Sequence, residues 1–197
     1  RKHLLDVANW TQKFLLEKNK PYILDVGSND GTFLKNFPVE YRILGVDPAK
    51  EIANFANNDG VPTICEYFDR DIANQIIQSH GKFDAVTCLN TFAHCEDMNE
   101  FFDAIKNVLK PDGVFIFEVS YLLDIINKML LGTIIHEHMS HHHLLPLCAF
   151  FEKHGFELFD ISNNDYQGGS VLGAVARAGQ HPKSKNLNNA LRLEHNL

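Results

Sequence analysis

The chain has 197 residues, of which 45% are hydrophobic and 22% are charged, the balance of an ordinary globular protein. This composition excludes a disordered chain, a collagen-like chain and a coiled coil. The 18 Lys and Arg residues against 25 Asp and Glu residues give a net charge of −7, which argues against a general nucleic-acid or anionic-membrane surface.

The cysteines and the apolar runs indicate a cellular compartment. The four cysteines include no C-x-x-C pair, so neither a zinc knuckle nor a redox motif is indicated. Cys65 and Cys88 lie within apolar runs, as small buried residues of a reducing compartment do. No apolar run reaches the roughly 20 residues that span a bilayer, and no signal peptide is recognisable. We therefore expect a cytoplasmic protein and, because the first residue is Arg1 rather than Met, a segment of a longer chain.

Helical and strand periods alternate as far as Ser120. In chain order the predicted elements are a helix over 4–17, a strand over 22–26, a strand over 42–47, a helix over 49–58, a short strand over 62–66, a helix over 71–79, a strand over 83–89, a helix over 96–109 and, after a turn at 111–113, a strand over 114–119. This alternation is typical of a parallel α/β sheet.

The pattern changes after Ser120. The remaining predicted elements are a helix over 121–130, an irregular histidine-rich stretch over 132–143, a helix over 144–154, paired strands over 156–161 and 170–177, and a weakly ordered stretch from 179 onwards. Five βα units and a strand pair predict a Rossmann-like α/β fold, with about seven mostly parallel strands and helices on both faces. We expect one core over 1–179, which begins with an N-terminal helix in 1–20, and a polar C-terminal tail over 180–197.

A glycine loop follows the first strand and runs Asp25-Val-Gly-Ser-Asn-Asp-Gly31. Dinucleotide sites require G-x-G-x-x-G, in which the second glycine lets the backbone approach a pyrophosphate. Here Asn29 holds that middle position and no third glycine is in register. No Gly-Lys-Ser/Thr follows, which excludes a P-loop. A ligand without phosphate groups fits this loop better.

Asp47 ends the second strand, twenty positions after Gly27. An acidic residue there is placed to accept hydrogen bonds from the 2′,3′-diol of a ribose. Together with Asp25 and Gly31, these residues favour a nucleoside cofactor that lacks phosphates, which indicates S-adenosyl-L-methionine. The alternative is a tight strand-to-helix turn with solvated acids.

Seven segments of the chain resemble a known family of enzymes. They are residues 25–34, 45–48, 89–94, 109–119, 134–140, 154–160 and 167–170. The first segment resembles motif I of the class I S-adenosylmethionine-dependent methyltransferases. The set, in this order, resembles the C-methyltransferases that act on nucleotide-linked keto-deoxysugars, and its His-Glu-His and Gly-Gly-Ser segments are more specific than motif I.

The resemblance implies roles for individual residues. The implied cofactor contacts are Asp25, Gly27, Ser28, Asn29, Asp47 and Pro48, with Phe68 and Asn90 near the adenine and methionine ends. His138 matches the proposed catalytic base of the family, and Glu137 and His94 match its other active-site polar groups. The implied partner is a small molecule, in this family a nucleotide-linked sugar.

Five of the eleven histidines lie between His136 and His143. One interpretation is acid–base chemistry, because a neutral imidazole takes up a proton near pH 7. His138 would remove a proton α to a ketone, and the enolate carbon would attack the sulfonium methyl in line. Glu137 would orient an imidazole or bind a substrate hydroxyl, and His94 would donate to the enolate oxygen.

Two other interpretations of these histidines stay open. His138 and His142 would share one face of a helix, as metal ligands do. However, the His-Glu-x-x-His motif fails at Ser140, so no metal site is predicted. Consecutive histidines can also be solvated, which we expect in part for residues 141–143.

Two further positions affect the predicted activity. Ile135 stands where the family has Tyr, and loss of that hydroxyl predicts a different acceptor or a lower activity. Glu118 ends the fifth strand, where open sheets place ligands, and is a candidate for the substrate site. The predicted function is methylation of a keto-deoxysugar carbon. The alternatives are O- or N-methylation of another small molecule, a cofactor-binding domain without turnover, and a metal-binding protein.

Overall fold

The computed structural model describes residues 2–130 and 140–196. Its helices are α1 (Lys2–Gln12), α2 (Lys50–Asn58), α3 (Arg70–His80), α4 (Met98–Val108), α5 (Leu122–Asn127), α6 (Leu144–Lys153) and α7 (Lys185–His195). Its strands are β1 (Tyr22–Val26), β2 (Arg42–Val46), β3 (Thr63–Ile64), β4 (Phe83–Leu89), β5 (Leu109–Ser120), β6 (Phe156–Asn164) and β7 (Ser170–Arg177). None of the helices in these two described stretches has both the length and the apolar character needed to cross a membrane.

The seven strands form one mixed sheet in the order β3-β2-β1-β4-β5-β7-β6. β1 pairs in parallel with both β2 and β4, and β2 pairs in parallel with β3. β6 and β7 form an antiparallel pair. The predicted Rossmann-like α/β class is therefore confirmed. The bounds predicted for β1, β4 and β7 agree with the structure residue for residue.

The described residues form two compact units. The first consists of Arg1–Cys88 and Asp97–Phe115, and the second of Leu89–Glu96 and Ile116–Leu197. In the first unit all five residues of β1 are buried, as expected for a strand that is covered on both faces. The register sets Asp25 beside Gly45 on β2 and Thr87 on β4. The two acids of the predicted site, Asp25 and Asp47, thus lie at the carboxyl ends of neighbouring strands.

The core of the second unit is aromatic. The Phe92 ring lies 5.9 Å from that of Phe117 and 6.4 Å from that of Phe151, and the last two are 5.6 Å apart. All three side chains are fully buried. A Cβ atom at Gly173 on β7 would collide with the Phe117 ring. Glycine at this position therefore lets the strand approach the aromatic core.

The C-terminal region differs from its prediction. Weak order was expected from residue 179 onwards, but Lys185–His195 form α7. The Ser184 side chain accepts a hydrogen bond from the Leu187 N–H at 3.1 Å, which caps the helix. Leu187 is fully buried. The prediction failed because the region is polar on average. Four of its residues nevertheless form an inward-facing stripe with helical spacing, namely Leu187, Ala190, Leu191 and Glu194.

Two smaller predictions also need correction. Cys65 was expected to be buried but is exposed, because β3 comprises only Thr63–Ile64 at the edge of the sheet and ends before it. The turn predicted at residues 111–113 falls within the bounds of β5. Its Pro111 and Asp112 are exposed, whereas Val114 and the residues up to Val119 are buried, as expected for a central strand.

Candidate active site

The glycine loop turns sharply after β1. Gly27 and Gly31 both have φ = 75°, and Asn29 has φ = 50°, a region that glycine and asparagine adopt most readily. The N–H groups of Gly27 and Ser28 donate to the Val46 carbonyl at 2.8 and 3.1 Å. The loop is therefore fastened to the end of β2.

Asp47 joins the glycine loop to the start of α2. Its Oδ2 accepts a hydrogen bond from the Asn29 N–H and its Oδ1 accepts one from the Ala49 N–H, each at 2.9 Å. A carboxylate has about four acceptor sites, so each oxygen of Asp47 keeps capacity for a second donor. The side chain can therefore hold the loop and also accept hydrogen bonds from a diol.

Ser28 is buried against β2. A Cβ atom at Gly45 would collide with the Ser28 hydroxyl, so glycine at position 45 makes room for this side chain. Within residues 2–130 and 140–196, Ser28 Oγ is the one buried side-chain nitrogen or oxygen atom with no hydrogen-bond partner. A buried hydroxyl without a partner costs free energy, so a ligand that reached it would gain a hydrogen bond.

Asp25 lies behind the loop and is almost fully buried. Burial raises the pKa of its carboxyl group to about 7, the Thr87 hydrogen bond lowers it, and the negative charge of Asp47 raises it. Thr87 Oγ1 donates to Asp25 Oδ1 at 2.5 Å. Since a nearby cation favours the ionised form of a carboxyl group, this acid is suited to a positively charged ligand.

The other predicted contacts in the first unit follow β2 and β3. Pro48 is exposed, and its carbonyl accepts a hydrogen bond from Cys65 Sγ at 3.8 Å. Phe68 is half-buried and meets the Phe101 ring edge to face at 5.8 Å. The Phe68 ring is therefore packed on one side by Phe101.

The loop and its neighbouring acids fit S-adenosylmethionine. Residues 22–34 contain no Lys or Arg, so the loop lacks the cations that phosphates attract. Asp25 and Asp47 instead place two carboxyl groups beside it. A nucleoside that carries a sulfonium cation matches this set of groups better than a pyrophosphate does.

A second polar cluster lies within the second unit and consists of Asn90, Glu118 and Asn164. Glu118 is fully buried. Its Oε2 accepts a hydrogen bond from Asn90 Nδ2 at 3.2 Å and its Oε1 accepts one from Asn164 Nδ2 at 2.9 Å. Sequence reasoning named Asn90 and Glu118 but not Asn164, because no local pattern links it to a partner 46 residues away.

The structure describes only one of the three catalytic residues predicted from the sequence, His94. His94 is exposed and ends the short 3-10 turn Phe92–His94. His138 and Glu137 lie outside the described residues, as does Ile135. Their roles therefore stay predictions.

His142 is buried, which corrects its expected solvation. Its ring stacks on Phe92 at 5.5 Å, and its Nε2 lies 2.8 Å from Ser140 Oγ. Burial lowers the pKa of His142 to about 4, with smaller contributions from the charges of His141 and His143. His142 is therefore neutral at physiological pH and packs in the core.

Glu194 on α7 holds a third cluster, which sequence reasoning missed. Its carboxylate accepts hydrogen bonds from the Tyr121 hydroxyl at 2.7 Å and from the Leu144 and Leu145 N–H groups at 2.7 and 2.8 Å. His143 Nδ1 lies 3.0 Å from the same carboxylate. Glu194 thereby caps α6, whose N-cap residue makes no side-chain cap of its own.

Two relatives in sequence are methyltransferases. The chain is 37% identical over 157 residues to the C-methyltransferase NovU of Streptomyces niveus, a match that covers 79% of this chain and 37% of NovU. It is 26% identical over 157 residues to a ubiquinone biosynthesis O-methyltransferase of Colwellia psychrerythraea, which covers 73% of this chain and 64% of that protein. The chain thus spans 37% and 64% of the length of these two relatives.

A solved structure and a domain family also match the chain. Magnesium protoporphyrin IX methyltransferase of Synechocystis PCC 6803, solved with bound SAH, aligns with a TM-score of 0.65 at 16% identity over 89% of this chain and 84% of its own. This likeness shows the shared fold. A methyltransferase domain family matches residues 2–161. The chain therefore belongs to this family of methyltransferase domains, whose methyl donor is S-adenosylmethionine, and its fold is the class I fold that the sequence predicted.

Proposed function

We propose that the protein transfers a methyl group from S-adenosylmethionine to a carbon atom of a nucleotide-linked keto-deoxysugar. The observation that carries the cofactor assignment is the position of Asp47, whose carboxylate is tied to the glycine loop at Asn29 and keeps capacity for a ribose diol. The 37% identity to a C-methyltransferase supports transfer to carbon.

Residues of the first unit would hold the cofactor. Asp47 would bind the ribose, Gly27 and Asn29 would supply the backbone of the loop, and Phe68 would lie against the adenine. Asp25 would stabilise the positive charge of the ligand. When bound, S-adenosylmethionine supplies an electrophilic methyl group on a sulfonium sulfur.

The residues named from the sequence would carry the proton chemistry. His138 would accept the proton from the carbon beside the ketone, which leaves an enolate. Glu137 would orient the imidazole or bind a sugar hydroxyl. His94 would donate a hydrogen bond to the oxygen on which negative charge develops. We place this chemistry in the cytoplasm, since the four cysteines are free thiols.

Product analysis tests this proposal directly. The full-length protein is incubated with S-adenosylmethionine labelled with ¹³C in the methyl group and with a nucleotide-linked keto-deoxysugar, and the product is examined by NMR. A new C–CH₃ signal is the expected result. An O–CH₃ signal would instead support O-methylation, the activity named for the relative from Colwellia psychrerythraea. Cofactor binding without transfer to any keto-sugar would indicate a binding domain and contradict the proposal.

A further inference from the structure

Glu194 fixes the position of the proton on the His143 ring. The hydrogen bonds that reach this carboxylate hold the pKa of Glu194 below its ordinary value, so the group is ionised near neutral pH and only accepts hydrogen bonds. His143 Nδ1 lies 3.0 Å from Glu194 Oε2, and Nδ1 must therefore be the donor. A neutral imidazole carries a single proton, so Nε2 keeps its lone pair and is a hydrogen-bond acceptor.

The accepting nitrogen of His143 is open to solvent. Within the described part of the chain, the one buried side-chain nitrogen or oxygen atom without a partner is Ser28 Oγ, and the one hydrogen bond of the His143 ring is made by Nδ1. Nε2 is therefore not buried. The His143 side chain is 33% exposed, whereas that of Glu194 is 1% exposed. A buried carboxylate thus orients an accessible imidazole, an arrangement that selects which ring nitrogen binds a ligand.

The segment that leads into α6 lies at the carboxyl end of β5. Tyr121 directly follows β5 and forms a parallel bridge with His142. The Ser140 N–H donates to the carbonyl of Ala93, the residue before His94, at 3.3 Å. Open α/β sheets bind ligands beyond the carboxyl ends of their strands. The accessible imidazole therefore belongs to a segment at the edge of the second unit where a ligand is expected.

We propose that His143 is a specificity-determining residue of the methyl-acceptor site, where its Nε2 accepts a hydrogen bond from a hydroxyl group of the acceptor. Glu194 is the positioning residue that keeps Nε2 in its accepting form. The inference rests on the proposed function, in which the acceptor is a sugar and carries hydroxyl groups. α6 does not need the imidazole as a cap, since its N-cap residue makes no side-chain cap and Glu194 binds its first N–H groups.

His143→Asn removes Nε2 but keeps a donor for Glu194. An asparagine NH₂ group can take the place of the histidine Nδ1–H, and asparagine is a favourable N-cap. With the full-length protein and a nucleotide-linked keto-deoxysugar, the KM for the acceptor should rise about fivefold while kcat stays within about twofold, because the lost hydrogen bond contributes to binding alone. The Kd of S-adenosylhomocysteine should not change. His195→Asn, at an exposed histidine of α7, is the matched control and should leave the KM unchanged.

Acceptor analogues that each lack one hydroxyl group separate a direct contact from a structural effect. For one analogue, His143→Asn should raise the KM by less than about twofold, because the hydroxyl group that meets Nε2 is absent. For the other analogues the rise should remain. An equal rise with every analogue, a rise with none, or a fall in kcat alone would overturn the inference.

The ¹⁵N NMR spectrum of the neutral His143 ring gives a readout that does not depend on turnover. The wild-type protein should show the Nδ1–H form. Glu194→Gln should shift the ring towards the Nε2–H form, because the Tyr121 hydroxyl and the Leu144 N–H require the glutamine oxygen and leave its NH₂ group to face Nδ1. An Nε2–H form in the wild-type protein would overturn the inference. A wild-type protein that shows the Nδ1–H form but methylates no keto-sugar would instead refute the proposed function, on which the inference rests.

Discussion

The Glu194 carboxylate accepts a hydrogen bond from the Tyr121 hydroxyl at 2.7 Å, although 73 residues separate the two along the chain. The same carboxylate receives the first two N–H groups of α6, from Leu144 and Leu145. A side chain of the last helix thus supplies the cap that α6 lacks and binds the residue that precedes α5. These contacts explain why a polar helix is stable at this place in the fold.

Glu194→Ala should lower the free energy of unfolding by at least about 3 kcal/mol, because it leaves the buried Tyr121 hydroxyl, the buried Leu144 N–H and the half-buried Leu145 N–H without an acceptor. Urea unfolding measures this loss. Tyr121→Phe is the matched control and should cost only about 1 kcal/mol, since the other partners of Glu194 remain. A loss below about 1 kcal/mol for Glu194→Ala would show that water replaces the carboxylate.

The acid sensitivity of the fold should depend on Glu194. Burial alone would raise its pKa, but the hydrogen bonds from Leu144, Tyr121, His143 and Leu145 outweigh burial and hold the pKa below the ordinary value of 4.5. The unfolded chain therefore takes up a proton at a higher pH than the folded protein does. The stability that Glu194 supplies is present above pH 4.5 and is lost as the pH falls through the folded pKa. Glu194→Gln should show a shallower loss of stability in acid, and an unchanged slope would contradict this account.

Asp25 should make the fold less stable as the pH rises, which is the opposite of the effect of Glu194. The folded protein holds the Asp25 proton up to about pH 7, whereas the unfolded chain releases it near 3.8. Stability should therefore fall as the pH rises from about 4 to about 7 and then level off, by at most roughly 4 kcal/mol. Asp25→Asn keeps an oxygen for Thr87 and has no proton to release. Its stability relative to wild type should rise across this pH range in urea unfolding. Asp6→Asn, at an exposed acid of α1, should show no such trend.

His138→Asn tests the proposed base. The turnover of the full-length protein should fall at least about a hundredfold, which is the usual scale for general-base catalysis. The affinity for S-adenosylhomocysteine should change little, because His138 is not among the proposed cofactor contacts. Replacement of the neighbouring His136 by Asn is the matched control and should retain most of the turnover. Unchanged turnover in His138→Asn would remove this residue from the role of base.

Local sequence patterns were sufficient to predict much of the fold. β1 is an apolar run between Pro21 and Gly27, and its buried position in the sheet follows from that pattern. The sequence predicts a helix over 96–109, and in the structure the Asp97 carboxylate caps α4 by accepting hydrogen bonds from the Asn99 and Glu100 N–H groups at 2.8 and 3.1 Å. These features depend on neighbours within four residues, so the sequence displays them.

The clusters in the second unit could not be predicted in this way. The partners of Glu194 lie 49 to 73 residues before it, and Asn164 meets Glu118 across 46 residues. Each is a single polar residue in a polar context, without a periodic pattern to mark its burial. His142 shows the same limit, because its burial depends on stacking against Phe92, whereas its neighbours in the chain are polar histidines and Ser140.

The central claim is that the glycine loop and Asp47 bind the nucleoside of S-adenosylmethionine. Calorimetric titration of the full-length protein with S-adenosylhomocysteine, repeated with Asp47→Ala, measures this directly. We predict one binding site per chain and a Kd that rises at least about tenfold in the variant, because charge-assisted hydrogen bonds to the ribose are lost. A wild-type protein that does not bind S-adenosylhomocysteine, or a variant that binds it equally well, would contradict the account.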